Sequence, residues 1–268
     1  MLCLRQGFFK KIWSGQIKFT NNPRDYLAIQ TRLCYAVCMT KKITMTDMLK
    51  AGVHFGHQKI KYQPKMKPYI YTITNNIHII DLEQTVEKLA QATEFIQETI
   101  NEKGAILFIG TKRQNKKLIE ETAKEVNMPF VVERWLGGTF TNFPVIYKLI
   151  QKLRDLETKQ DSGEFKKYTK KEQHQIKQEI DRLNKLIGGI KTIDKLPEAI
   201  FVADAVHDDL AVKEAREKGV KIVALTDTNA DPTIIDYPIP ANDDAISSVK
   251  LILEQIKNAI KDKQKQSK

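Results

Sequence analysis

The chain has 268 residues, with 44 Lys plus Arg against 33 Asp plus Glu and a formal net charge of +11, a surplus that favours a polyanionic partner without separating RNA from DNA or an anionic surface. Its three cysteines, Cys3, Cys34 and Cys38, all fall in the first 38 residues; the body is therefore expected to hold no disulfide and no thiolate metal site, as in a cytoplasmic protein. No run approaches the ~18 apolar residues of a membrane-spanning helix, so no membrane partner is expected.

Residues 1–43 carry eight basic side chains (Arg5, Lys10, Lys11, Lys18, Arg24, Arg32, Lys41, Lys42) against one acid, Asp25, which puts +7 of the total there. The segment lacks the long apolar run and small-residue cleavage site of a secretory signal. Three readings stay open: a flexible extension, an organelle transit peptide, or upstream sequence with translation starting at Met39 or Met45. The body opens at Thr46, where Thr46-Asp47-Met48-Leu49-Lys50-Ala51-Gly52 offers an N-cap, a short apolar turn and a glycine stop, predicting a short helix. His54-Phe55-Gly56-His57 and an acid-free loop through Pro68 follow. Tyr69–Ile73 and Ile77–Ile80 read as two strands joined at the turn pair Asn75-Asn76. Asp81 then caps a helix whose apolar positions are Val86, Leu89, Ala90, Phe95, Ile96 and Ile100.

A β-then-α alternation takes over. Ala105–Ile109 is a continuous apolar run ending in Gly110, the mark of a strand buried in a parallel sheet. Residues 114–126 read as a helix and 130–132 as a strand; strands at 199–203 and 222–225 and helices at 210–218 and 243–260 continue the pattern. This spacing predicts an α/β fold, a doubly wound sheet with helices on both faces. Between the strands near 131 and 201, Ile146, Leu149, Leu153 and Leu156, and then Ile176, Ile180, Leu183 and Ile187, recur at steps of 3 and 4. Such single-stripe seams predict two helices paired as an antiparallel hairpin. Thr169 and Glu172 read as a capping box opening the second helix, and Gly188-Gly189 as its stop. The expected division is a basic extension (1–43), an α/β domain (44–143 with 190–256), a hairpin insertion (144–189) and a basic tail (257–268).

Five segments carry candidate chemistry. His54 and His57 could bind a metal, make structural hydrogen bonds or touch RNA; with no Cys or local acidic cluster beside them, no metal is expected. Lys59, Lys61, Tyr62, Lys65, Lys67, Tyr69 and Tyr71 interleave cations with aromatic rings, a pattern able to neutralise phosphate and stack on bases, or else an ordinary solvated loop over core tyrosines. Gly110-Thr111-Lys112-Arg113, with Lys116, stands where a parallel strand yields to a helix, the edge at which open sheets bind ligands. No glycine-rich nucleotide fingerprint is present there, so an RNA phosphate fits better than a bound nucleotide, with a charged helix surface that serves solubility as the alternative. Arg134-Trp135-Leu136-Gly137-Gly138-Thr139-Phe140-Thr141-Asn142-Phe143 reads in part as a structural turn built on Trp135, Gly137, Gly138 and Phe143, and in part as RNA contact through Arg134, Thr141 and Asn142. Asp227 to Asp231 follows a strand; turn formation explains it, with occasional magnesium near Asp204 and Asp227 as the alternative and no catalytic residue expected.

Taken together, His54-Phe55-Gly56-His57, Pro64-Lys65-Met66, Asn76 to Leu82, Gly110-Thr111-Lys112, Arg134 to Thr139 with Thr141-Asn142, Gly188 to Lys191, Ala211-Val212 with Glu214-Ala215, Asp227-Thr228-Asn229, Asp236 to Pro240 and Asn242 to Ala245 resemble the family of the second protein of the small ribosomal subunit, over roughly residues 45–256. The resemblance implies a Rossmann-like (flavodoxin-like) parallel sheet domain with an inserted coiled-coil hairpin. It also implies an architectural role: binding small-subunit ribosomal RNA between head and body and helping to recruit the large mRNA-binding first protein of the subunit; Asn76, at the hairpin turn, is a further candidate RNA contact. No cofactor, DNA or obligate homo-oligomer is implied. This chain departs from the family pattern at Tyr62-Gln63, where Trp-Asn is common, at Thr74-Asn75, where an Arg is common, and at Asp208 and Ala230. A phosphate-ligand α/β enzyme and a ribosome-independent adaptor are the alternatives.

Overall fold

The computed structural model describes residues 43–266; the expectations for residues 1–42 lie outside them. The polypeptide opens with α1 (Met45–Ala51). Its cap is Thr44 rather than the expected Thr46: the Thr44 hydroxyl accepts the Asp47 N–H, and the Asp47 carboxylate reaches back to the Thr44 N–H, satisfying two free helix-end donors at once. Strands β1 (Phe55–Gln58), β2 (Ile70–Thr74) and β3 (Ile77–Ile80) form a small antiparallel sheet in the order β1-β3-β2. Asn75 and Asn76 both have positive φ (50° and 61°), the backbone that a two-residue hairpin needs and that Asn tolerates. The acid-free loop between β1 and β2 forms two 3₁₀ turns, Lys59–Lys61 and Pro64–Tyr69.

After α2 (Leu82–Asn101), capped by Asp81 as expected, comes the main sheet. It comprises β4 (Ile106–Ile109), β5 (Phe130–Val131), β6 (Ala199–Val202), β7 (Lys221–Thr226) and β8 (Tyr237–Pro240), all parallel and in the order β5-β4-β6-β7-β8. Every residue of β4 and β6 is buried, because helices cover both faces. Alternate residues supply two separate cores. Ile106, Phe108, Phe201, Val223, Leu225 and Ile239 pack under α1, α2, α3 (Lys116–Val126) and the terminal helix α7 (Ile246–Gln266). Leu107, Ile109, Ile200, Val202, Ile222 and Ala224 face the other way. Phe108 and Phe201 are register partners with ring centres 5.5 Å apart, and burying each side chain contributes about 1.5–3 kcal/mol. Strand β8 was not predicted: its Tyr-Pro-Ile-Pro sequence argues against a central strand, and prolines are admitted here because β8 is an edge. Helix α7 runs to Gln266 and so takes in most of the expected basic tail.

The second face meets α6 (Asp209–Lys218) and a pair of helices, α4 (Phe143–Asp161) and α5 (Lys170–Ile187). Ile146, Leu153, Ile180, Leu183 and Ile187 from the predicted seams are buried in the same cluster as the sheet, and Leu149, Leu156 and Ile176 pack partly against it. Ile150, outside the predicted stripe, is also buried, because α4 must satisfy the sheet as well as α5. Lys152 bridges to Glu179 across the pair at 3.1 Å. The Thr169–Glu172 capping box is present.

Gly188 does not stop α5 with a left-handed residue; its φ is −58°, and the polypeptide continues into a 3₁₀ turn, Gly188–Ile190. The requirement at Gly189 is space. A Cβ on Gly189 would stand 2.1 Å from the Phe130 carbonyl oxygen of β5. No helix among the described residues is long and apolar enough to cross a membrane.

Candidate nucleic-acid interface

Parallel strands end at one edge, so the loops after β4, β6, β7 and β8 converge there and bring together side chains far apart in sequence. At this edge Lys112 is turned inward. Its ammonium lies 2.9 Å from Asp204, 3.0 Å from Asp243 and 2.8 Å from Asp244, with Asp204 and Asp243 buried. Burial pulls its pKa down, but the three carboxylates more than offset this and hold it above the ordinary lysine value. Lys112, expected from sequence at an RNA phosphate, is paired here with the protein's own carboxylates. Thr111 donates its hydroxyl to Asp208 (2.6 Å) and its N–H to the same carboxylate (3.3 Å). Burial nevertheless raises the Asp208 pKa above its usual value.

The small sheet is fastened to this edge. The His57 N–H donates to Thr228 Oγ1 (2.9 Å) and the Gln63 N–H to the Thr228 carbonyl (2.9 Å). That places the His57 ring against the acids of this edge, with Nδ1 2.9 Å from Asp227 Oδ2 and Nε2 3.5 Å from Asp244. The Asp227 contact raises the His57 pKa, partly opposed by burial. Asp227 Oδ2 and His57 Nδ1 approach without hydrogen-bond alignment, and among the described residues neither atom has another hydrogen-bond partner. Ligand atoms of His57, Asp227 and Asp243 all lie within 4.8 Å of one another. One imidazole nitrogen and two carboxylates suit a divalent cation. This set shares Asp227 with the magnesium position considered from sequence and has Asp243 in place of Asp204; Lys112 pairs with both Asp204 and Asp243. Burial and the neighbouring Asp204 and Asp227 push Asp243 up to about 7.

The candidate RNA-contacting residues divide. Lys59, Lys61, Lys67, Asn76, Arg113, Arg134 and Asn142 are exposed. Lys65 reaches the Asp231 carboxylate at 2.7 Å and Lys116 reaches Glu133 at 2.7 Å, so both cations are paired within the protein. Tyr62 stacks on His78 (centres 4.9 Å apart) and donates its hydroxyl to the Pro64 carbonyl. Tyr69 is half-buried, whereas Tyr71 is 77% exposed. His54 is half-buried against Phe55, and desolvation lowers its pKa. Trp135 is buried edge-on to Phe140 (5.0 Å), and Phe143 packs partly on the same cluster; Phe140, not singled out beforehand, is the more deeply buried of the turn's aromatics, at 2% exposure. Gly137 is exposed and Gly138 has φ +90°. Sequence reasoning also passed over Asp243, Asp244 and Glu214 as separate groups. Asn242-Asp243-Asp244, just past a strand, was the available signal for the first two; nothing local marks Glu214.

Comparison with known proteins accords with this architecture. The family described as Ribosomal protein S2 matches residues 48–263. "Small ribosomal subunit protein uS2" of Roseiflexus castenholzii is 49% identical over 217 residues, covering 81% of this chain and 82% of that protein. The protein of the same name from Mycobacteroides abscessus is 45% identical over 218 residues (81% and 79%), and that from Salinispora arenicola 46% over 221 (82% and 79%). With a family match across most of its length and relatives of this identity and coverage, the chain belongs to the ribosomal protein S2 family.

Proposed function

We propose that the protein is a structural constituent of the small ribosomal subunit, binding small-subunit ribosomal RNA through the lysines of the small sheet and through Arg113 and Arg134. Its contribution to translation is architectural and involves no bond-making step. The observation that carries this reading is the separation of charge at the carboxyl edge. Lys59, Lys61, Lys67, Arg113 and Arg134 are exposed and form no ion pair among the described residues, whereas Asp204, Asp227 and Asp243 are buried around Lys112 and His57. Free surface cations displace counterions from phosphate, and inward acids do not repel it. The names of the relatives as small-subunit proteins support the same partner.

The finer reading rests on further features. In chain order the main sheet runs 2-1-3-4-5, which supports the flavodoxin-like class of doubly wound folds. Residues 44–143 with 190–256 then form one RNA-binding domain, 144–189 an inserted hairpin, and 257–268 a basic extension carried largely on α7. Placement between head and body in a cytoplasmic ribosome, contact with neighbouring proteins and recruitment of the large mRNA-binding first protein complete the reading. Sedimentation of native lysate through sucrose gradients at low and high salt tests it. The chain is expected to travel with the small subunit; migration only as free protein beside intact subunits overturns the assignment. Replacing Lys59, Lys61 and Lys67 with Ala is expected to lower the salt slope of RNA binding by about 0.7–0.9 per lost phosphate contact, and an unchanged slope removes this surface from the interface.

A further inference from the structure

Glu214, on α6, is 5% exposed and forms no ion pair among the described residues. Four N–H groups of the turn that follows β5 converge on its carboxylate instead. Oε1 accepts from Gly138 (2.7 Å) and the Trp135 indole (3.4 Å), and Oε2 accepts from Phe140 (3.0 Å) and Thr141 (3.4 Å). Burial pushes the carboxyl pKa up, but the backbone donors more than offset that and leave it below the ordinary glutamate value. A concave set of backbone N–H groups around a glycine at φ +90° is the kind of nest that binds phosphate elsewhere. Here α6 fills it from within, so RNA phosphate has no access to those amides.

We infer that Glu214 is a positioning residue for RNA recognition: by occupying the Gly138–Thr141 amide nest it fixes the turn from which Arg134, Thr141 and Asn142 reach RNA, and confines the turn's RNA contacts to side chains. The inference rests on the RNA-binding reading of that turn. Arg134 and Asn142 flank the nest and are exposed, while the intervening Trp135 and Phe140 are buried in the core shared with the hairpin. The carboxylate therefore joins a rigid interior to a solvent-facing rim.

The test uses the full chain and in vitro transcribed small-subunit ribosomal RNA, comparing Glu214→Gln with Arg134→Ala. Glutamine keeps the volume but must turn its NH₂ toward N–H donors. Amide exchange at Gly138, Phe140 and Thr141 is expected to quicken at least about tenfold, as when hydrogen bonds to a charged acceptor are lost. The salt slope of RNA binding is expected to fall by about 0.7–0.9 in both variants, the signature of one phosphate contact. Faster exchange in Glu214→Gln with a wild-type slope makes the residue purely structural and overturns the inference, as does no change in either quantity beside a reduced slope in Arg134→Ala. An unchanged slope in Arg134→Ala overturns the underlying reading of the turn, and the inference with it. Should Glu214→Gln fail to fold, Glu214→Asp, which keeps the charge but withdraws it by one methylene, carries the same two measurements.

Discussion

Replacing Gly189 with alanine tests how the helical pair is joined to the sheet. The new Cβ would lie 2.1 Å from the Phe130 carbonyl oxygen and 2.8 and 2.9 Å from two carbons of its ring. Because the nearest atom belongs to the backbone of β5, the turn must retreat by at least about 1 Å, and overpacking of this kind costs about 1–3 kcal/mol. Gly188 provides an internal control. Its added Cβ would stand 3.2 Å from Asn184 Oδ1, the far end of a flexible side chain, and its backbone is helical at φ −58°, ψ −35°. Alanine there is expected to stabilise by about 0.4–1 kcal/mol through the unfolded state. With a urea slope of about 1–3 kcal/mol per molar, the midpoints of the two variants should differ by about 1 M, with Gly188→Ala the more resistant. Urea unfolding followed by circular dichroism measures this directly. Midpoints within about 0.3 M of each other would refute the claim that Gly189 is required by close approach to β5.

Three further outcomes are expected. Lys112→Met leaves buried carboxylates unpaired and should cost about 3 kcal/mol, as when one partner of a buried ion pair is removed; Asp243→Asn in the same chain should restore part of the loss, and a single variant as stable as the wild type would refute the lysine cage. Burial raises the Asp231 pKa, but Lys65 and Thr233 outweigh it and bring it down to about 2. The stability it contributes is therefore present above the ordinary value of 3.8 and lost as pH falls toward 2, so Lys65→Met should unfold at a higher pH in an acid titration; coincident curves would dismiss the pair. A divalent cation such as Zn²⁺ or Mn²⁺ at ~100 times its dissociation constant should add about 2.7 kcal/mol, seen as a raised melting temperature that His57→Ala combined with Asp227→Asn abolishes. A melting temperature indifferent to both ions would show that the three donors hold no metal.

The parallel sheet was legible because runs such as Ala105–Ile109 and Ala199–Ala203 are short, apolar without interruption and bounded by turn residues, as strands buried on both faces are. The helical pair was legible from its stripes, though Ile150 shows that a seam also facing a sheet is wider than its heptad pattern. Strand β8 escaped because Pro238 and Pro240 count against a strand until the sequence is known to lie on an edge. β1 escaped because Phe55–Gln58 has no alternation; its place is set by Thr228, 171 residues from His57. The site was harder to read. Lys112 looks like a surface cation in its own segment, and only convergence of three strand ends reveals the carboxylates that enclose it. Burial, which separates Tyr62 from Lys59 and Lys67, and the ion pair to Asp231, which separates Lys65 from them, have no local signature.

The two prolines of β8 also govern what the protein can do while it is free of RNA. Ala241 donates its N–H inward to the Thr226 carbonyl of β7, so by the two-residue period of a strand Pro238 and Pro240 point their backbone outward, where they have no N–H to offer. The outward Pro240 carbonyl is already taken by the Thr85 hydroxyl at 2.6 Å. At the opposite margin β5 has only two residues, and the Gly188–Ile190 turn lies against it. Neither margin of the main sheet can template a strand from another molecule, the route by which open sheets aggregate. A newly made copy can therefore accumulate without its main sheet joining that of a neighbour.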